Sequence, residues 1–434
     1  MSERSPLQKV KPARYGFAMF GTSIPINMFK SFAAIFYVDM LGLDMKKYSL
    51  VLFIYTFVDA IDNPVYGFLS DRTRTKWGRR RPWLLIGTPL LVLFFLLFYN
   101  VPGVIQSDTR MLFIYMLLMY ILTGTLDSLV NANYGALFPE LFKSDEERAK
   151  TNSFRQICQL FAMAISIALT PMITDKIGYQ LTALIYGILA LAVMMYCFWG
   201  CREPEIADEN TEKPGLFSSI WALLTNPKFW IYGFAGAFYS AAFSLISQAI
   251  PFYVKYTLKK EGATTTIMLG TVLVVAVIGI VIWSKIVSKW DIMKVWRCGF
   301  IIMAVAFIPL YFVNSFAAAV AIACVVGFGV AACLATMDCI GAKLVDDDFR
   351  RHGIKREGII SSLTGVMNRL NGLYTSLAFY VVATKFGFVN GDDPGFDPST
   401  ASRVLLCVFP AAAMIVASVI TFFLHFEENK KSDE

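Results

Sequence analysis

Residues 59–87 read DAIDNPVYGFLSDRTRTKWGRRRPWLLIG. Asp59, Asp62 and Asn63 lie three and four residues apart, so a helix would gather them on one side. Pro64 lacks the N–H that would bond the Ala60 carbonyl, which predicts a loosened helix beside the acids. The segment around them, 48–70, is otherwise apolar and long enough to cross a bilayer. From Asp71 to Arg81 the chain packs six basic residues into eleven positions, and at Pro82 an apolar run resumes. Two apolar helices joined by a short basic loop, one of them carrying acids inside its span, describe an integral membrane protein with an internal polar site.

The rest of the chain agrees with this reading. Of 434 residues, 56% are hydrophobic and 16% charged, against about 25% charged in soluble domains. Twelve membrane-length stretches are expected, at 15–41, 48–70, 82–101, 110–138, 156–174, 179–200, 229–254, 264–287, 296–314, 316–341, 358–385 and 402–426. They are too long and too continuously apolar for barrel strands. With both termini inside, 28 of the 39 Lys and Arg fall in inner termini and loops, nine lie outside, and Lys30 and Arg369 lie within spans. This asymmetry predicts a multi-pass protein of the cell membrane with cytoplasmic N- and C-termini. It accounts for the net charge of +7 with membrane lipids as neighbours and no nucleic-acid partner.

A polar stretch, REPEIADENTEKPG (202–215), divides the spans six and six. The expected organisation is an N-terminal six-helix bundle (1–201), a cytoplasmic middle loop with a surface helix (202–228) and a C-terminal six-helix bundle (229–434). A basic loop follows the second span of each half, DRTRTKWGRRRP in one and SKWDIMKVWR in the other, which suggests two related halves.

Ionisable residues inside spans are costly and mark function by default. Here they are Lys30, Asp59, Asp62, Asp127, Asp338 and Arg369. At 1.5 Å per residue, Asp59, Asp127 and Arg369 all come out about 18 Å from the inner ends of their spans, with Lys30 near them. Arg369 is expected to pair with Asp59, and Lys30 with Asp59 or Asp127. Further candidates for binding solute are Ser23, Asn27, Asn131, Tyr134, Gln248 and Asn368. Asp59, Asp62 and Asn63 are the candidates for cation coupling. For gating, the inner clusters offer Asp71, Arg72, Arg79, Arg80 and Arg81 in one half, and Asp346, Arg356 and Glu357 in the other.

The quoted stretch, together with FYVDMLGLD (36–44), NANYGALFPELFKSDEERAKTNSFRQ (131–156) and VDDDFRRHGIKREGIISSLTGVMNRL (345–370), resembles the glycoside-pentoside-hexuronide:cation symporters of the major facilitator superfamily. The resemblance runs nearly the whole length in order. It implies twelve helices in two pseudo-symmetric six-helix bundles, and alternating-access transport of a sugar or sugar-derived solute. It also implies a coupling cation held by two carboxylates of span two, with a polar residue of span four and a lysine of span eleven nearby. Carried across, these positions are Asp59, Asn63, Asn131 and Arg369, and Ser23 stands where sugar-binding members have an aspartate.

Asn63 lacks the charge that Na⁺ ligands favour, and Arg369 stays charged where a lysine could lose its proton. Protons therefore rank above sodium as the coupling ion, and the two internal bases favour an acidic solute. A lysolipid transporter and an uncoupled sugar facilitator stand as alternatives. No cofactor and no bound metal are expected beyond a coupling H⁺ or Na⁺, and the protein is expected to act as a monomer. An enzyme is disfavoured: no histidine lies at depth, and neither G-x-S-x-G nor H-E-x-x-H occurs.

Overall fold

The computed structural model describes residues 10–142, 145–201, 223–260, 262–287, 289–352 and 357–426. At some of these positions, including Asn63, Asp71, Arg72 and Glu357, it describes the backbone alone. Residues 202–222, most of the expected middle loop, lie outside the described residues, as does Arg356.

The described chain is helical, with one isolated bridge, Thr75 to Gly78. Its long helices are α1 (Ala18–Ala34, extended by a π-helical turn Ile35–Met40), α2 (Met45–Arg72), α3 (Arg81–Tyr99), α4 (Thr109–Leu141), α5 (Asp145–Met163, with π turn Ala164–Leu169) and α6 (Thr170–Gly200). The second set is α7 (Pro227–Phe252, with π turn Tyr253–Thr257), α8 (Gly262–Val287), α9 (Ile292–Phe312), α10 (Phe316–His352), the two-part α11 (Glu357–Arg369 and Asn371–Phe386) and α12 (Pro398–Arg403, π turn Val404–Val408, Phe409–Thr421).

Eight helical stretches among the described residues are long and apolar enough to cross a membrane. One of them, Phe154–Gly200, is interrupted at Gly178 (φ +77°, ψ 166°), where the sequence places the turn between two spans. The helices that fall short of this measure are α1, α2 and α11, which carry Lys30, Asp59, Asp62 and Arg369. Polar residues lower the hydropathy of α1 and α2, and the break in α11 leaves parts of 13 and 16 residues. Two local expectations change. Helix α2 runs unbroken past Pro64. The expected continuous span 358–385 is instead broken at Leu370, where Asn368, Asn371 and Gly372 weaken helix propensity.

The chain gathers into two compact units. The first comprises Met1–Asn210 with two later segments, Glu261–Thr266 and Gly387–Gly395. The second comprises Thr211–Lys260, Ile267–Phe386 and Phe396–Glu434.

In each unit the first helix ends in a related sequence, Phe36-Tyr37-Val38 in α1 and Phe252-Tyr253-Val254 in α7. Both tyrosines are fully buried. Tyr37 donates to the Phe98 carbonyl at 2.8 Å, and Tyr253 to the Leu310 and Val313 carbonyls at 3.2 and 3.0 Å. The acceptors lie at the ends of α3 and α9, where helices leave carbonyls without an internal partner and lipid offers none.

A second parallel joins the start of the third helix to the end of the sixth. Arg81 donates to the Phe198 carbonyl at 2.7 Å and stacks 4.4 Å from its ring. Arg297 donates to the Thr421 and Leu424 carbonyls at 2.7 and 3.0 Å and stacks 4.8 Å from Phe422. A guanidinium there meets both the orphan carbonyls and the negative end of the helix dipole. The two halves thus repeat their fastenings as well as their helix count.

The segment Gly387–Gly395 is pinned along the end of α1 and the start of α2. The Gly391 N–H donates to the Val38 carbonyl at 3.1 Å, the Met45 N–H to Val389 at 2.8 Å, and the Asn390 amide to Gly42 at 2.8 Å. A Cβ on Gly391 would lie 1.9 Å from the Asp39 carbonyl oxygen, which is backbone and cannot rotate away. Gly391→Val is expected to destabilise the protein by about 1–3 kcal/mol, as overpacking does. Thermal unfolding in detergent measures this; an unchanged transition would show that the contact yields freely.

Candidate functional site

The first unit builds a polar layer from three helices. On α1, Ser23, Asn27 and Lys30 recur at i, i+4 and i+7 and so share one face. Lys30 Nζ donates to Asp127 Oδ2 at 3.3 Å, and Asn131, one turn along α4, donates to Oδ1 of the same carboxylate. Asp127 is buried, whereas the Lys30 side chain is 45% exposed. The lysine therefore leans on a buried carboxylate while much of its side chain stays exposed.

Helices α2 and α4 run antiparallel with matched polar groups. The Tyr55 and Ser128 hydroxyls each donate to Asp59 Oδ1 at 3.2 Å, and Thr125 donates to Asp62 Oδ2 at 2.8 Å. Stepping from Asp59 to Asp62 on α2 moves the partner from Ser128 back to Thr125 on α4. Asp59 and Asp62 are both half-buried.

Gly124 makes room for this arrangement: a Cβ there would lie 2.2 Å from the Tyr55 hydroxyl oxygen and 2.3 Å from its ring. Tyr55 also meets Tyr120 edge-on at 5.0 Å, which limits where its ring can go. Thr125, Ser128, Tyr55 and Gly124 were missed in the sequence. The signal available was the i, i+3, i+6 run of Thr125, Ser128 and Asn131 on an otherwise apolar span.

The expected pairing of Lys30 with Asp127 is present. The pairing of Arg369 with Asp59 would join residues of the two units and stays a proposal. Tyr134, a candidate solute contact, is buried and reciprocally bonded to Tyr15: its hydroxyl donates to the Tyr15 carbonyl at 2.9 Å, and Tyr15 returns the bond at 2.8 Å. The rings stack at 4.4 Å, so this position fastens the N-terminal segment to α4.

In the second unit, Gln248 is buried and donates to Ser244 at 2.9 Å. Asn368 Oδ1 is buried with no hydrogen-bond partner among the described residues. Arg369, half-exposed, ends the first part of α11 at the break. Polar groups at an interrupted membrane helix are a recurrent transporter arrangement.

Of the gating candidates, Arg80 donates to Ser70 and Arg81 to Phe198, so both secure the loop between α2 and α3. Arg79 is half-buried in the same loop. Asp346 is exposed; its neighbour Asp347 makes the ion pairs, to Lys228 at 2.7 Å and to Arg351 at 3.0 Å. The side chains of Asn63, Asp71, Arg72 and Glu357, and all of Arg356, lie outside the described residues.

Among the described residues, two related sets of long helices, with Lys30, Asp59, Asp62, Asp127 and Arg369 set within them, are consistent with the major facilitator fold. The chain belongs to the family described as MFS/sugar transport protein, which matches residues 14–428. It is 24% identical to the "Putative sulfoquinovose importer" of Escherichia coli (strain K12), over 99% of this chain and 94% of that protein. It is likewise 24% identical to the "Isoprimeverose transporter" of Lactiplantibacillus pentosus, covering 85% and 80%. With the "Glucuronide carrier protein homolog" of Escherichia coli (strain K12) it shares 22%, covering 91% and 88%. These names accord with the glycoside-pentoside-hexuronide resemblance of the sequence. Among solved structures, nucleoside transporter NupG (D323A mutant) superposes with a TM-score of 0.70 at 10% identity, over 95% of this chain and 99% of that one. The protein is a sugar or sugar-derivative transporter.

Proposed function

We propose that this transporter moves an acidic sugar derivative, such as a uronate or a sulfonated sugar, as a symporter coupled to protons ahead of sodium. The observation that carries the reading is Lys30: a lysine on a long helix whose side chain is nearly half exposed and whose ammonium is steadied by a buried carboxylate 3.3 Å away. A neutral sugar offers it only uncharged hydroxyl acceptors, whereas a solute carboxylate or sulfonate adds the attraction of opposite charges to the hydrogen bond. Two of the relatives, the glucuronide carrier protein homolog and the putative sulfoquinovose importer, are named for solutes of this chemistry. Asn131, Ser23 and Asn27, on α4 and α1, are the groups assigned to the solute hydroxyls, and Gln248, Asn368 and Arg369 are the candidates that the second half carries.

Proton coupling follows from the ligand chemistry of α2. Sodium favours several hard oxygens with negative charge, and Asn63 supplies an amide where the family pattern has the second carboxylate. A proton needs one carboxylate, and Asp59 with its hydroxyl donors provides it. Transport proceeds by alternating access between the two faces of the cell membrane, with the termini in the cytoplasm.

A thermal-shift screen of purified protein tests the substrate class against neutral sugars, uronates, sulfonated sugars and lysolipids, each with and without Na⁺. A uronate or sulfonated sugar at a hundred times its Kd should stabilise by about 2.7 kcal/mol. Equal stabilisation by the matched neutral sugar would overturn the acidic assignment, and strict Na⁺ dependence would overturn the ion ranking.

A further inference from the structure

Two segments from the second half of the chain belong to the first compact unit, Glu261–Thr266 and Gly387–Gly395. Their attachments correspond under the internal repeat. The loop 387–395, between the eleventh and twelfth helices, docks where α1 passes into α2. The end of the fifth span, just before the Gly178 kink, meets the chain where α7 passes into α8: the Met172 N–H donates to Thr266 Oγ1 at 3.1 Å, and a Cβ on Gly262 would collide with the Asp175 carboxylate. Each of these four turns follows an odd-numbered span. In a chain that crosses the bilayer at every long helix they share one face of the membrane, the outer one in the proposed orientation.

The larger attachment is built to come apart without unfolding. Within the loop, the Asn390 side-chain oxygen accepts from the Asp392 and Asp393 N–H groups at 3.0 and 2.9 Å, and the Asp393 carbonyl accepts from Val389 and Asn390 at 2.9 and 3.1 Å. The Phe396 N–H closes its base on the Phe386 carbonyl at 3.4 Å. Gly387 (φ +65°) and Gly395 (φ +77°) stand at the two ends in the left-handed region, where glycine turns at little cost. Phe388 is buried and adjoins the first of these hinges, where a rotation moves it least.

None of those bonds uses α1 or α2. Docking employs other groups of the loop: the Gly391 N–H, the Val389 carbonyl and the Asn390 side-chain N–H, bonded to Val38, Met45 and Gly42. The Val38 carbonyl lies in the last turn before Met40, and the Met45 N–H opens α2. Both are helix-end groups without an internal partner, and water can satisfy them when the loop leaves.

We propose that 387–395 is a latch of the transport cycle, an inference that rests on the alternating-access reading. Docked, it holds the α11–α12 turn on the ends of α1 and α2. It lifts as a preformed piece about Gly387 and Gly395, once in every turnover, and then returns. Asn390 serves both states, since its oxygen keeps the shape of the loop and its N–H makes a docking bond. Asn390→Asp keeps the first function and removes the second.

The test uses the full chain in lipid nanodiscs, with Cys298, Cys324 and Cys339, the native thiols that are not buried, replaced by serine. Lys46→Cys and Asp392→Cys, at exposed positions beside docking bonds, carry spin labels. Pulsed electron paramagnetic resonance should give a short docked distance and a longer, minor one. Asn390→Asp should raise the ratio of long to short by about twofold to tenfold, the worth of one hydrogen bond. A single short distance in wild type, or a ratio that Asn390→Asp leaves unchanged, would overturn the proposal. This arm needs no solute, so a failed solute assignment leaves it intact. In proteoliposomes, a bifunctional methanethiosulfonate joining the same two cysteines should lower glucuronate uptake by about tenfold or more, and a thiol reductant should restore it. Either cysteine alone, treated with the reagent, should stay within about twofold of the untreated protein. Undiminished uptake by the joined protein would show that the latch need not lift, and would overturn the proposal as well.

Discussion

Lys30→Met should lower transport of an acidic sugar by roughly tenfold to a hundred-and-fiftyfold, measured as initial flux into proteoliposomes, while a neutral glycoside of the same size changes by less than about threefold. The estimate starts from the charge-assisted hydrogen bond that Lys30 would give the solute, worth about 1.5–3 kcal/mol. Removing one member of a buried ion pair costs about 3–5 kcal/mol. The Lys30 side chain is 45% exposed, however, so solvent screening reduces that second contribution. Lys30→Arg retains the charge and should keep most of the activity. The double variant Lys30→Met with Asp127→Asn separates binding from packing. It removes both charges of the pair and should recover thermal stability, because neither charge is left facing the other's absence. It should not recover acidic-solute flux. Wild-type flux of the acidic solute in Lys30→Met would end the assignment of Lys30 as its contact.

The sequence made the span count and the charged residues legible for one physical reason: both are expensive. Twenty apolar residues in a row and an ion inside hydrocarbon each carry a large free-energy signature that needs no knowledge of neighbours. Lys30 and Asp127 could therefore be picked out by charge and depth alone, with Asp59 left as the other possible partner of Lys30. The partners of Asp59 and Asp62 could not. Ser128, Thr125 and Tyr55 are cheap in a membrane helix, since a hydroxyl can bond back to its own backbone, as Thr56 does to the Leu52 carbonyl at 2.8 Å. Whether a hydroxyl bonds back or reaches a carboxylate depends on how two helices are rotated against each other.

The same holds for Gly124, whose meaning exists only against the Tyr55 ring. Tyr134, a candidate solute contact from the sequence, has both its backbone carbonyl and its hydroxyl bonded to Tyr15, a pairing 119 residues apart that no local pattern reveals. The repeated Phe-Tyr-Val at 36–38 and 252–254 was in plain view, but three common residues carry little information until both hydroxyls are seen fastening the third helix of their halves.

Asp59→Asn should abolish uphill accumulation while leaving exchange of solute across the membrane at a substantial fraction of wild type. In the proposed cycle, Asp59 is the carboxylate whose proton is carried with the solute, so an amide fixes it in the neutral form. The hydroxyls of Tyr55 and Ser128 can still donate to the Asn oxygen, and the local geometry is kept. A symporter locked as if permanently protonated can bring the solute through and return with another, but it cannot couple net movement to a proton gradient. Wild-type accumulation should rise as the pH on the side of entry falls, collapse on addition of a protonophore, and persist without Na⁺; Asp59→Asn should lose all pH dependence. Gly124→Ala attacks the same carboxylate indirectly. Its methyl group displaces the Tyr55 ring, so Asp59 keeps its charge and loses one donor, which should lower coupled accumulation severalfold and shift its pH dependence without abolishing it. Full uphill transport by Asp59→Asn would remove this residue from the coupling step and leave Asp127, the other buried acid of the layer, to carry it.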